Sequence, residues 1–190
     1  MRVRSLAFLV ILALVTLGAC NQETPTTQPA DDVPVEEDGT GEEDPQADQA
    51  AQARRYEGQW SGMWTNRTFG STGSASATVV VGADGETMTI TLDLGGSVFG
   101  ASDPPAEEFV MQLEDSSART SGTSATYGPY EVTLDLEAET ISITLSDVPG
   151  ERITTVTASG SFSESSFSAD FTINFSDGST AQSTLELTKS

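Results

Sequence analysis

Thr87-Met88-Thr89-Ile90-Thr91-Leu92-Asp93-Leu94 decides the fold. Its apolar residues occupy every second position, and a period of two is what a strand with one buried and one wetted face requires. The alternation returns at Val132, Leu134 and Leu136, at Ile141, Ile143 and Leu145, and at Phe167, Ala169, Phe171, Ile173 and Phe175. Thr, Ser and Asp on the other parity leave one side in water, which favours antiparallel over parallel pairing. Asp84-Gly85 and Asp177-Gly178 each separate two such runs, and an Asp-Gly pair suits the backbone of a tight hairpin. Glu137 to Glu139 and Ser163 to Ser166 read as two further hairpin tips.

Strands are expected over 57–67, 74–82, 86–94, 108–114, 130–137, 140–147, 153–163, 166–176 and 180–188. The fold class is therefore all-β: a single antiparallel meander of about eight to ten strands, closed or nearly closed into a barrel that removes its edges. A two-sheet sandwich is the alternative that alternation alone leaves open. No helical period stands out from Tyr56 onward, and Gly95 to Ala106 reads as the longest irregular stretch.

Upstream the texture changes. Asn21 to Arg54 holds ten acidic residues, four prolines and no aromatic side chain, too little apolar surface to offset the entropy of folding. It reads as a disordered, charge-extended tether. Before it, Arg2 and Arg4 precede an apolar run from Leu6 to Leu17, too short for the ~20 residues of a spanning helix. Leu17-Gly18-Ala19-Cys20 then places the chain's one cysteine behind small residues. This arrangement resembles the lipobox of bacterial lipoproteins, and the resemblance implies cleavage before Cys20 and lipidation of its sulfur. The expected organisation is a signal peptide over 1–19, a lipidated Cys20 and acidic linker over 20–54, and an all-β domain over 55–190. Its expected address is the cell envelope, extracytoplasmic, on the outer membrane or the outer face of the cytoplasmic membrane. Asn21 after the cysteine is compatible with the outer membrane.

Charge and composition remove several function classes. Eight basic against 29 acidic residues give a formal charge of −21, which repels nucleic acid and anionic headgroups alike. The acid excess also suits a salty habitat. Histidine is absent, and the lipobox resemblance implies that the one cysteine carries lipid, so the commonest general base and metal ligand are missing and no free thiol nucleophile is expected. Lys189 is poorly placed for serine-lysine chemistry, and the many acids pair by chance too easily to argue for a glycosidase. No catalytic residue, metal site or cofactor is expected, and the protein reads as a monomer that is not an enzyme.

The most distinctive segment of the body is Tyr56-Glu57-Gly58-Gln59-Trp60-Ser61-Gly62-Met63-Trp64-Thr65-Asn66. Its aromatics and glycines share one parity, so an unbulged strand points them to one face. The Gly-x-Trp pattern, present at Gly58-x-Trp60 and Gly62-x-Trp64, resembles the first strand of the lipocalin and avidin group of up-and-down barrels. The resemblance implies a tryptophan closing the barrel end. The avidin likeness continues through Asn66, Gly70-Ser71 and the hairpin at Asp84-Gly85, and would map a ureido-binding pair onto Asn66 and Ser71. This chain has no tryptophan after Trp64, so the aromatic walls that grip biotin cannot form in the same way. Tyr127-Gly128-Pro129-Tyr130 offers a second aromatic cluster at a turn.

These observations make Trp60, Trp64, Asn66, Tyr127 and Tyr130 the candidate ligand-binding residues. The expected function is non-enzymatic binding of a small apolar or cyclic ligand in a lipocalin-like barrel. The alternative is an interaction lipoprotein with a filled core that engages an envelope protein. A discriminator is the inward set Met88, Ile90, Leu92, Phe171 and Ile173: a central void among them favours a ligand. Replacement of the lipid-bearing residue tests the anchor, since Cys20→Ala should move the protein from the membrane to the soluble fraction, and unchanged fractionation would refute lipidation.

Overall fold

A computed structural model describes residues 45–149 and 152–190. Cys20, the leader over 1–19 and the tether as far as 44 lie outside the described residues. Gly41–Ser190 forms a compact unit of its own, and the core residues among those described run from Ala50 to Leu187.

Among the described residues one helix and twelve strands follow in order: α1 (Pro45–Arg54), β1 (Gly58–Asn66), β2 (Thr72–Val81), β3 (Thr87–Leu94), β4 (Ser97–Val98), β5 (Ala101–Ser102), β6 (Glu107–Glu114), β7 (Ser117–Ser124), β8 (Gly128–Asp135), β9 (Thr140–Ser146), β10 (Ile153–Phe162), β11 (Ser166–Phe175) and β12 (Thr180–Lys189). Ten of the strands close into an antiparallel barrel in the order β1-β12-β11-β10-β9-β8-β7-β6-β3-β2. β4 and β5 form a separate small hairpin between β3 and β6. Apart from the step from β3 to β6 over the small hairpin, every barrel neighbour is the next strand along the chain except β1 and β12, whose pairing from Trp60↔Lys189 to Asn66↔Ser183 shuts the cylinder. The barrel, not the sandwich, is the outcome.

The alternating parity sets what faces inward. Residues paired across a ladder share a face, so Trp60, Ala77, Ile90 and Phe109 point inside along with Val132, Ile143 and Phe171. The expected hairpin tips all occur, at Asp84-Gly85, Glu137–Glu139, Ser163–Ser166 and Asp177-Gly178. Asp177 accepts hydrogen bonds from the Ser179 amide and hydroxyl, which hold its carboxyl below the ordinary value.

Three elements differ from the sequence expectation. Residues 45–54, expected within the tether, form α1 and pack under one end of the barrel, with Ala50 and Ala53 buried. Alanine has the highest helix propensity and proline is tolerated in the first turn, so a helix forms there without any large apolar residue. β7, Ser-Ala-Arg-Thr-Ser-Gly-Thr-Ser, was not expected because it has no large apolar residue to mark its parity. The stretch from Gly95 to Ala106 contains the β4–β5 hairpin.

α1 shuts its end firmly. Gln52 donates to the Leu136 carbonyl at 2.9 Å, Arg55 pairs with Glu164 at 2.6 Å, and Lys189 Nζ donates to the Arg55 carbonyl at 2.9 Å. Since Ala53 has no accessible surface, Ala53→Asp places an unpaired charge in the core and should cost about 3–5 kcal/mol. Ala51→Asp, on the exposed side, should stay within about 0.5 kcal/mol. Urea unfolding of the two variants checks the docking of the helix.

Candidate functional site

A barrel of eight strands is just wide enough for its own side chains to fill, and diameter grows with strand number. Ten strands leave space over. The interior contains an apolar cavity of about 190 Å³ running from Tyr56 and Trp60 near α1 to Phe99 and Tyr127 near the β4–β5 hairpin. Ile90, Leu92, Val132, Ile143 and Phe171 face inward yet are only half-buried, because the surface they retain lines this cavity. Met88 and Ile173 of the same inward set are buried against their neighbours.

The two tryptophans close different ends. Trp60 is buried at the helix end, where its Nε1 donates to the Tyr56 carbonyl at 3.1 Å. Trp64 is half-buried nearer the opposite end, and its Nε1 donates to the Gly95 carbonyl at 2.9 Å, tying β1 to the base of the small hairpin. Room for that indole comes from Gly73 across the ladder, where a Cβ would lie 2.4 Å from Trp64 Nε1. Trp64, Asn66 and Ser71 line a second hollow of about 90 Å³, which shares Leu94, Phe99, Phe171 and Leu185 with the main cavity. Asn66 Oδ1 accepts from the amides of Thr68 and Phe69 at 3.0 and 2.9 Å, so this oxygen builds the β1–β2 turn. The structure therefore brings Trp60, Tyr127 and Tyr130 to the main cavity and puts Trp64 and Asn66 beside it.

The end away from α1 is covered by β4–β5. Its two-residue turn, Phe99-Gly100, has positive φ at both positions, 49° and 81°, the geometry of a type I′ hairpin. Asn or Gly ordinarily fills the first of these places, and a phenylalanine there is strained. The conformation delivers the Phe99 ring edge-on to Tyr127, centroids 6.2 Å apart, while Val98 beside it is buried. Sequence reading missed Phe99 because a phenylalanine in a loop has no period to betray its direction.

A second irregularity lies in the barrel wall. β6 and β7 each have eight residues but share only three register pairs, from Gln112↔Arg119 to Glu114↔Ser117. Toward the covered end the strands part, and aromatic rings fill the seam. Tyr130 on β8 lies over Gly122 of β7, where a Cβ would come 2.7 Å from its hydroxyl, and meets Phe109 of β6 edge-on at 5.1 Å. Past that contact, Ser124 donates its hydroxyl to Glu107 Oε2 at 2.7 Å and latches the separated strands. Ser124 Oγ also accepts from the Thr126 and Tyr127 amides, which fixes the approach to Tyr127.

No family model matches this chain, and no curated protein does. Among solved structures it is similar to Rv2717c from M. tuberculosis, with a TM-score of 0.53 and 11% identity over 74% of this chain and 97% of that one. It is also similar to the S-type phycobiliprotein lyase CPES from Guillardia theta, with a TM-score of 0.41 and 9% identity over 76% and 95% of the two chains. The fold is a closed, up-and-down antiparallel barrel. Its ten strands exceed the eight of the lipocalins proper, and at such identities the likeness to Rv2717c concerns the fold alone. Among the described residues no helix is long and apolar enough to cross a membrane, and no three potential metal ligands come together.

Two phenols are shifted strongly. Burial, then nearby Glu107 and Asp93, pushes Tyr127 up to about 12, and burial with the hydrogen bond to Glu139 does the same for Tyr56. Between the ordinary value of 10 and about 12 the folded chain thus keeps protons that the unfolded chain has released. Their contribution is complete below pH 10 and is lost as pH rises through about 12. Denaturant midpoints measured over this window should fall with pH, and Tyr127→Phe should flatten the decline.

Proposed function

We propose that the protein is an extracytoplasmic lipoprotein, held at a membrane by lipid on Cys20, whose barrel binds a small apolar or cyclic molecule without chemical turnover. The observation that carries the binding part of this reading is the cavity itself. An apolar cavity of 150 Å³ in another protein, lined by Leu, Ile and Phe, takes up benzene. A space of about 190 Å³ walled by aliphatic and aromatic side chains suits a molecule of one or two rings. The aromatic walls offer edge and face contacts to such a guest. α1 precedes the barrel at one end, and the Phe99 cover lies at the other. The anchored protein would act as a monomer in the cell envelope.

A second reading draws on the outer face. Val80 and Val110 flank Thr89 in one cross-strand row and are 51% and 46% exposed. That row gives an envelope protein a small apolar foothold, although the cavity counts against the filled core that this alternative expects.

Native mass spectrometry of residues 41–190 recovered from exporting cells should show a reproducible added mass lost on collisional activation. Titration with naphthalene provides the defined test. Ile143→Trp puts an indole into the cavity and should weaken naphthalene binding at least tenfold while far-ultraviolet circular dichroism stays unchanged. Full affinity in that variant would place binding outside the barrel and refute the reading.

A further inference from the structure

The two charged residues at inward-facing positions of the barrel strands are Glu107 and Lys189. They stand at opposite ends. Lys189 is paired across from Trp60 at the helix end, where its ammonium is occupied by the Arg55 carbonyl and lies 5.9 Å from the Trp60 ring centre. The described arginines, Arg54, Arg55, Arg67, Arg119 and Arg152, are all exposed. Arg55 and Arg67 pair there with Glu164 and Asp170. No guanidinium or free ammonium thus faces the cavity among the described residues.

Glu107 occupies the other end. It lies directly across the ladder from Leu92 and one inward position beyond Phe109, both of which line the cavity. Its Oε2 is held by the Ser124 hydroxyl at 2.7 Å, so the carboxylate is fixed where β6 and β7 part. Asp93 on β3 and Asp103 at the base of the cover add negative charge around the same mouth, with Asp103 Oδ1 accepting from the Gly96 amide at 3.4 Å. Tyr127 belongs to this end too: it is 4% exposed, it lines the cavity, and its hydroxyl has no hydrogen-bond partner among the described residues. A buried phenol left so is a donor awaiting an acceptor.

From this placement we infer that Glu107 is a specificity-determining residue that makes the cavity select uncharged ring molecules and reject anionic amphiphiles such as carboxylates of the same ring size. This inference rests on the ligand-binding reading above and adds the charge class of the ligand. A guest carboxylate inside would have no cation to meet and would leave water against the field of a fixed carboxylate. An uncharged guest pays neither cost, and one carrying a single acceptor, a carbonyl or a ring nitrogen, has the Tyr127 hydroxyl at hand.

Naphthalene and its monocarboxylate, matched in ring and differing in charge, separate the possibilities when titrated into residues 41–190 by equilibrium dialysis. Naphthalene should bind and the carboxylate should bind more weakly. Glu107→Gln keeps an acceptor for Ser124, and it should leave naphthalene unchanged and improve the carboxylate about four- to tenfold, the Coulomb penalty of two unit charges roughly 6–10 Å apart at an effective dielectric of about 40. In the unaltered protein, added salt should strengthen carboxylate binding alone, as screening weakens the repulsion. Equal binding of the two probes, or a Glu107→Gln variant that folds but leaves their ratio unchanged, overturns the inference and leaves the cavity reading intact. Binding of neither probe overturns the cavity reading, and this inference with it.

Discussion

The pairing of β1 with β12 is the constraint on which the rest of the molecule depends. Without it the ten strands would form an open sheet with two long edges, one of them carrying both tryptophans. Closing at ten strands rather than eight fixes a diameter that the inward side chains do not fill, and several of those side chains are small, among them Ala77, Ala118, Ala158 and Ala169. The cavity is therefore a consequence of strand number and residue size together. It needs no local distortion to explain it.

Much of this architecture was legible in one dimension. The alternation at Met88, Ile90, Leu92 and Leu94 states which side of β3 is wet, and the Asp-Gly pairs state where the chain turns. The parity of Trp60 and Trp64 holds in space. The elements that the sequence does not mark share a physical cause: the signal in a sequence is large apolar residues at a regular interval, and these elements contain few. β7 is carried by its neighbours' hydrogen bonds, α1 by alanine's propensity and a small buried face, and the cover by one strained turn. The cluster around Phe99, Phe109 and Glu107 is brought together by a ladder that stops early, and nothing in the residues of β6 announces where its pairing with β7 ends.

The site joins two kinds of surface. Its walls are rings and aliphatic chains that attract by area and shape, whereas its mouth is bounded by acids that act at longer range. Tyr127 lies at the junction, touching Phe99 and Phe109 while feeling Glu107 and Asp93. On the proposed reading, size would be judged in the interior and charge at the rim. Phe99 links the two, since its ring lines the main cavity and the smaller hollow beside Trp64.

The bond between β1 and β12 also has a meaning in time. Trp60 pairs with Lys189, so the contact that completes the cylinder joins residues almost at opposite ends of the folded unit. Hairpins between β8 and β12 can form from local sequence as the chain emerges, but β1 must remain unpaired on that side until the final strand has appeared. High contact order of this kind slows folding and leaves an incomplete sheet exposed meanwhile. Because the two ends of the barrel's chain finish side by side, the polypeptide could be joined there and reopened at an exposed hairpin tip such as Asp177-Gly178 with the same cylinder as its end state.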